Sequence, residues 1–351
     1  FGRSAEAMID APAMTFTPAE QVGMFEKAER EILKTKRAVD PLEYRDEKPF
    51  RDPMDLLVYK FPVTGADDEL IGIGTIQSDI TERKRAEQII ADAMALINES
   101  IQYASRIQRS VLPTAAEMVE VFDDHFAIWE PKDVVGGDIY LIRKCEGGTL
   151  LFVADCTGHG VPGAFMTMIA TGALDQAIIE NPHGDPGALL RRTNQLVKTT
   201  LGQLENVAGE SDDGFECGLC LIDETSGNMT YAGARFELWR IDGGELHVTK
   251  GDRCGIGYRR TPLDQGFTNH AVADIADAMF YLFSDGMIDQ IGGAKRRAFG
   301  KRRLKTNLID YHPMSMRHQE ARLRREFEEY QHKEPRRDDV TLLGFVPRRA
   351  D

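Results

Sequence analysis

Three different spacings of apolar and polar positions follow one another along the 351 residues. Thr17-Pro18-Ala19-Glu20 supplies a cap, a first-turn proline and an early acid, and predicts a helix running to about Thr35. Strand-like runs follow at residues 55–63 and 70–80. They are joined by Thr64-Gly65-Ala66-Asp67-Asp68-Glu69, whose glycine and acids suit a hairpin. From Glu82 to Leu112 the spacing becomes seven. Ile90, Ile97, Ala104 and Val111 recur, with Ala93, Ser100 and Ile107 three places on and Met94 and Ile101 beside them. No Gly or Pro interrupts the run before Pro113, so it predicts one long helix with a heptad seam. A parallel coiled coil between two copies is expected; a single amphipathic helix lying on a domain is the alternative. Ala104 and Ser100 thin the seam midway, which suits a helix that shifts.

Beyond Pro113 the apolar runs are short. Strands are predicted at 126–129, 138–142, 150–154, 215–223, 228–233, 236–241, 245–250, 279–283 and 340–346. Helices are predicted at 163–180 and 186–203, and within the charged segment 295–334 at 322–330. Antiparallel hairpins with helices grouped between them predict an α+β layered sandwich.

Composition narrows the function classes. Hydrophobic residues make up 42% of the chain, enough for real cores, yet no apolar stretch reaches the roughly 18 residues needed to span a bilayer. No membrane crossing is expected within these residues, and a cytoplasmic location fits best; a membrane segment upstream of Phe1 stays open. A net charge of −14 argues against nucleic acid as a partner. The local clusters Lys295-Arg296-Arg297 and Lys301-Arg302-Arg303 read as a solvated rim, with docking of an acidic partner as the alternative. Five scattered cysteines make no disulfide framework. Cys217-Gly218-Leu219-Cys220 has zinc-knuckle spacing but no second pair, so a buried thiol pair on a strand is expected.

The chemistry lies in the acids. Asp138, Asp155, Asp285 and Asp338 each sit beside an apolar strand and next to Gly or another acid. Carboxylates converging at one end of a sheet repel and call for cations, and all-oxygen donors select Mg²⁺ or Mn²⁺. Two such ions about 4 Å apart generate hydroxide and neutralise an in-line displacement at phosphorus. The neighbouring glycines are expected to keep the approach to the ions open. Cys156 is no phosphatase-loop nucleophile, because the place of the required Arg six residues on holds Pro162. His159 lacks a second His for zinc and reads as loop structure, or as a proton donor to a leaving group.

Two resemblances complete the reading. The ending Gly72-Ile73-Gly74-Thr75-Ile76-Gln77-Ser78-Asp79-Ile80-Thr81-Glu82-Arg83 resembles the end of a PAS sensor domain. Residues 1–85 are then the C-terminal part of such a domain with a truncated start, and 86–112 are the coiled-coil linker. No Cys or His precedes His125, so neither a flavin–cysteinyl adduct nor a histidine-ligated haem can be built from this part. Residues 113–351 resemble a SpoIIE/RsbU-type serine/threonine phosphatase of the metal-dependent type 2C superfamily. The residues that carry the likeness are Gly136-Gly137-Asp138-Ile139-Tyr140, Asp155-Cys156-Thr157-Gly158-His159-Gly160-Val161-Pro162-Gly163-Ala164, Tyr231-Ala232-Gly233-Ala234, Ser284-Asp285-Gly286-Met287 and Asp338-Asp339-Val340-Thr341. The helix end 103–113 fits too, and Glu130-Pro131-Lys132-Asp133-Val134-Val135 is similar to the SiaA-like subgroup.

That resemblance implies an αββα sandwich and a catalytic set of Asp138, Asp155, Asp285 and Asp338. Asp155 would bridge two Mn²⁺ or Mg²⁺ ions and the Cys156 carbonyl would ligate one of them, together with Asp138. Asp285 and Asp338 would hold the other, with Asp339 as a neighbour of less defined role. It also implies attack by a water bridging the ions, a phosphorylated STAS-domain anti-sigma-factor antagonist as substrate, and the helices after Asp155 as a switch coupled to dimerisation through 86–112. The first motif departs from the family pattern at Leu141, where an acid often stands. Lys132 is a candidate phosphate contact, with a solvated rim lysine as the alternative. A catalytically silent scaffold binding a STAS-type partner is the rival function; a DNA-binding regulator lacks a helix-turn-helix signature.

Overall fold

The computed structural model describes residues 19–47, 52–204, 212–223, 226–273, 275 and 278–348, with Glu6 and Ile9. It divides into two compact units, Phe1–Asn98 and Glu99–Asp351, whose boundary falls inside a helix.

In the first unit, helix α1 (Ala19–Thr35) accompanies an antiparallel sheet of β1 (Leu42–Asp46), β2 (Met54–Thr64) and β3 (Leu70–Asp79), in that order. The expected hairpin is β2–β3; β1 was not anticipated, because its Leu-Glu-Tyr-Arg-Asp sequence is too short and polar to announce a strand. The Thr17-Pro18 cap lies outside the described residues. Phe25 and Ile32 bury the apolar face of α1, and Glu29 meets the buried Lys60 of β2 at 2.6 Å. The Asp-Ile-Thr junction has a mechanical reason. Asp79 Oδ1 accepts the Thr81 N–H at 2.9 Å and its hydroxyl at 2.6 Å, while Thr81 Oγ1 accepts the Asp55 N–H at 2.8 Å. The acid thus satisfies the first orphan donor of the next helix.

That helix, α2 (Thr81–Val111), is continuous over 31 residues as the heptad spacing predicts. Ile90, Met94 and Ile97 of the seam are exposed, as are Ile89 and Leu96.

The second unit continues with α3 (Ala115–Val121), β4 (Phe122–Glu130), β5 (Asp138–Cys145), β6 (Gly148–Cys156), α4 (Gly160–Glu180), α5 (Pro186–Thr200), β7 (Phe215–Asp223), β8 (Asn228–Ala234), β9 (Glu237–Asp242), β10 (Glu245–Lys250) and β11 (His270–Val272). It ends with β12 (Met279–Phe283), α6 (Asp285–Asp289), β13 (Ile291–Gly292), β14 (Arg297–Ala298), α7 (Lys301–Tyr311), α8 (Met316–Gln331) and β15 (Val340–Pro347). Two five-stranded sheets form, ordered β10-β9-β12-β15-β4 and β11-β8-β7-β6-β5.

Period-two alternation builds the layers. On β6, Leu151 and Val153 face the other sheet and pack with Phe280, Leu282, Leu343 and Phe345. Leu150, Phe152 and Ala154 face the opposite way, against Met166, Ala170 and Leu174 of α4 and Leu190 and Val197 of α5. On the other outer side, α7 and α8 bury Leu304, Leu308, Leu323 and Phe327 against Phe126, Ile128 and Tyr281. The result is the expected αββα order of layers. The same alternation corrects one expectation. Cys217 and Cys220 are both buried on β7, but three residues apart on a strand they point to opposite faces, one to the helices and one between the sheets. They are not a pair. Helix α7 was hidden by its charge: outside Leu304, Asn307, Leu308 and Tyr311 its residues are polar or partly exposed. Among the described residues no helix is long and apolar enough to cross a membrane.

Candidate active site

The strand register sets the first contact. β5 pairs antiparallel with β6 so that Asp138 lies directly opposite Asp155, at the end of both strands. On the other side of β6, Glu216 of β7 lies opposite Asp155. The second sheet brings its acids to the same end. The Asp285 N–H, at the start of α6, reaches Asp155 Oδ2 at 3.4 Å. Ser284 Oγ donates to Asp138 Oδ2 at 2.6 Å and accepts the Thr341 N–H at 3.0 Å, so one hydroxyl ties β12, β15 and the Asp138 carboxylate together. Asp338 and Asp339 immediately precede β15, and the Asp339 N–H donates to Asp338 Oδ1 at 2.9 Å. Asp339 is already engaged: its two oxygens accept the N–H groups of Lys132 at 2.7 Å and Gly137 at 2.6 Å.

The glycines also shape the backbone itself. They admit backbone to backbone. A Cβ on Gly163 would stand 2.2 Å from the Gly158 carbonyl oxygen, one on Gly137 2.4 Å from the same atom, and one on Gly286 1.9 Å from the Asp339 carbonyl oxygen. Any side chain there would push apart the segments that carry the acids.

The electrostatics follow from this crowding. Burial, reinforced by the charges of Asp339 and Asp338, pushes the Asp138 carboxyl up to about 7 despite its hydrogen bonds to Ser284 and Thr341. Burial and the neighbours Asp138 and Asp285 hold Asp155 well above the carboxylate range. Asp285, at the cleft mouth, is pushed up to about 6 by desolvation and by Asp289, Asp338 and Glu216. Burial and the Asp155 and Asp138 charges keep the Cys156 thiol protonated, which removes it as a nucleophile. Carboxylates that resist ionisation for lack of countercharge fit a site completed by hard divalent cations. Among the described residues no three such side chains close on one point as a cage.

Around the cleft the structure brings the candidates Lys132 and His159 together and adds Asp133, Gln108 and Arg109, which the sequence left without a role. Asp133 Oδ2 lies 2.9 Å from His159 Nδ1, and Lys132 Nζ lies 2.8 Å from His159 Nε2, a chain at the exposed rim. Gln108, buried on α2, donates to the Gly136 carbonyl at 2.6 Å and to Thr167 Oγ1 of α4 at 3.1 Å, and accepts the Gly136 N–H at 3.2 Å. Arg109 stands 5.0 Å over the Trp129 ring. Gln108 falls in the heptad position of Met94 and Ile101, and a polar amide at that position is the one signal in the sequence that it faces something else. The basic clusters are exposed and partly paired within the chain: Arg296 pairs with Glu334 at 2.8 Å, Lys301 with Glu237 at 3.0 Å, and Arg303 lies over the Tyr330 ring.

With this geometry in place, residues 146–346 match the family model of stage II sporulation protein E, SpoIIE. The chain belongs to the SpoIIE family. It is similar to the SiaA-PP2C domain of Pseudomonas aeruginosa, 38% identical, covering 73% of this chain and 99% of that one with a TM-score of 0.65. The phosphatase domain and regulatory fragment of SpoIIE from Bacillus subtilis share the fold at 11% identity, covering 98% of this chain and 92% of that chain, with a TM-score of 0.50. A search of curated proteins gave no match. As a SpoIIE-family protein of PP2C type, the chain is a protein serine/threonine phosphatase.

Proposed function

We propose that this SpoIIE-family phosphatase removes phosphate from phosphoserine or phosphothreonine on a STAS-domain protein, using two Mn²⁺ or Mg²⁺ ions. The observation that carries the reading is Asp155: it faces Asp138 across the strands and accepts the Asp285 N–H, so acids from both sheets share one cleft. Asp138 and the Cys156 carbonyl would hold one ion and Asp285 and Asp338 the other, with Asp155 between them. Ions bound there lower the pKa of water and neutralise charge on the phosphoryl group. The chain's own residues supply rigidity. Ser284 fixes the Asp138 carboxylate, and Asp339 fixes the Gly137 N–H. The Gly137 carbonyl in turn holds the Cys156 N–H at 3.0 Å, which orients the peptide beside Asp155.

The reading extends to regulation. The helix–sheet unit before Ile80 is a partial PAS-type sensor, and α2 pairs with its copy in a parallel coiled coil through Ile90, Met94 and Ile97. Their exposure, on a helix of 31 residues, supports that pairing.

The test is phosphate release from a phosphoserine STAS-domain protein with Mn²⁺, with Mg²⁺ and with EDTA. Release that requires metal and vanishes in Asp285→Asn supports the mechanism. Tight binding without release would instead favour a scaffold.

A further inference from the structure

A phosphate dianion entering a row of carboxylates gains from a protein cation as well as from metal. The cleft wall beside Asp155 and Asp285 is also lined by Glu216, Arg235, Glu237 and Lys301. Its two cations differ. Lys301 is half-exposed, at the start of α7, and paired with Glu237. Arg235 is fixed from several directions. Its backbone sits at φ 55°, a left-handed conformation rare for a residue with a side chain, and its N–H donates to the Asp252 carbonyl at 2.8 Å. Its Nε donates to the Arg253 carbonyl at 3.0 Å, and its guanidinium lies 5.6 Å from the centre of the Tyr258 ring. Nη1 donates to Glu216 at 3.3 Å, and Glu216 is the cross-strand neighbour of Asp155. The segment presenting Arg253 and Tyr258 is itself anchored on α5. Buried Lys198 donates to the Tyr258 carbonyl at 2.7 Å, and Asn194 accepts the Gly257 N–H at 2.9 Å.

We propose that Arg235 binds the phosphoryl group of the substrate, a role that rests on the phosphatase reading of this cleft. A guanidinium presents a planar fork of donors that matches phosphate oxygens, and here its orientation is set before substrate arrives. Nη2 has no hydrogen bond among the described residues. The Glu216 pair is a weak competitor, since the two side chains are 39% and 49% exposed. β8 ends at Ala234, and Arg235, at left-handed φ, lines the cleft. It is a substrate-binding residue, distinct from the acids.

The experiment compares wild type with Arg235→Gln and Arg235→Gly. Glycine removes the side chain and also relieves the left-handed backbone, so loss of folding does not confound it. Inorganic phosphate is titrated calorimetrically into the Mn²⁺-loaded protein, and KM and kcat are measured on p-nitrophenyl phosphate. Both variants are expected to bind phosphate at least about tenfold more weakly and to raise KM by a similar factor, with Mn²⁺ affinity unchanged. Unchanged phosphate affinity in both variants overturns the proposal, even if KM for a protein substrate rises, since Arg235 would then read an acidic side chain. Wild type that binds no phosphate overturns it too. Wild type that binds phosphate through Arg235 yet hydrolyses nothing would sink the phosphatase reading and leave the binding role standing.

Discussion

Gln108 holds both backbone polar atoms of Gly136, accepting its N–H at 3.2 Å and donating to its carbonyl at 2.6 Å. Gly136 stands two residues before Asp138, and the same amide reaches Thr167 on α4. A side chain of the long helix therefore closes the loop that presents Asp138, a proposed metal-holding acid. Gln108→Ala leaves a buried N–H and C=O without partners, at about 1–3 kcal/mol. It is expected to lower the melting temperature and to raise the Mn²⁺ concentration giving half-maximal activity. An unchanged Mn²⁺ midpoint would show that the loop holds itself.

Asp285→Asn is expected to reduce phosphate release by roughly a hundredfold or more, because a proposed metal-holding acid is lost. The fold should not suffer. Asp285 is one of the like charges holding Asp155 up, so neutralising it relieves repulsion in the metal-free protein. Activity assays together with thermal melts in EDTA separate the two effects; wild-type turnover would remove Asp285 from the mechanism.

The metal-free protein should lose stability as pH rises. Burial and neighbouring carboxylates raise Asp138 to about 7 and Asp285 to about 6, above the ordinary aspartate value of 3.8. A raised carboxyl binds its proton more tightly when folded, so its contribution is complete below about pH 4 and is lost as pH climbs through 6 to 7. Melting temperatures in EDTA should fall over that window, and Mn²⁺ at neutral pH should restore them. Asp138→Asn should flatten the slope; an equally steep fall in that variant would assign it to other groups.

Ile97 is 57% exposed on α2. Ile97→Glu should leave the melting of the monomer near wild type while weakening self-association by roughly tenfold or more, read by sedimentation. A dimer of unchanged affinity would rule out the heptad seam as the interface.

The sequence by itself determined most of the elements and the candidate acids, though not β1 or α7. Apolar runs ending in Asp155 and before Asp285, an apolar strand opening just after Asp338-Asp339, and an uninterrupted heptad helix are local patterns, and local patterns survive without a fold. They also predict a layered α+β sandwich, since helices grouped between antiparallel hairpins have few ways to bury their faces, while the αββα order was implied by the family resemblance. Tertiary structure decided everything that depends on two distant residues meeting. Ser284 reaches Asp138 across 146 positions, Asp339 reaches Gly137 across 202, and Gln108 finds Gly136 across 28. Arg235 follows directly on Tyr231-Ala232-Gly233-Ala234, yet its direction depends on a left-handed backbone that the spacing of apolar residues does not encode. Cys217 and Cys220 show the intermediate case: strand periodicity alone places them on opposite faces, and only the packed sheets show what each face touches. Hydrogen-bond partners are chosen by where sheets stack, and stacking is a property of the whole chain.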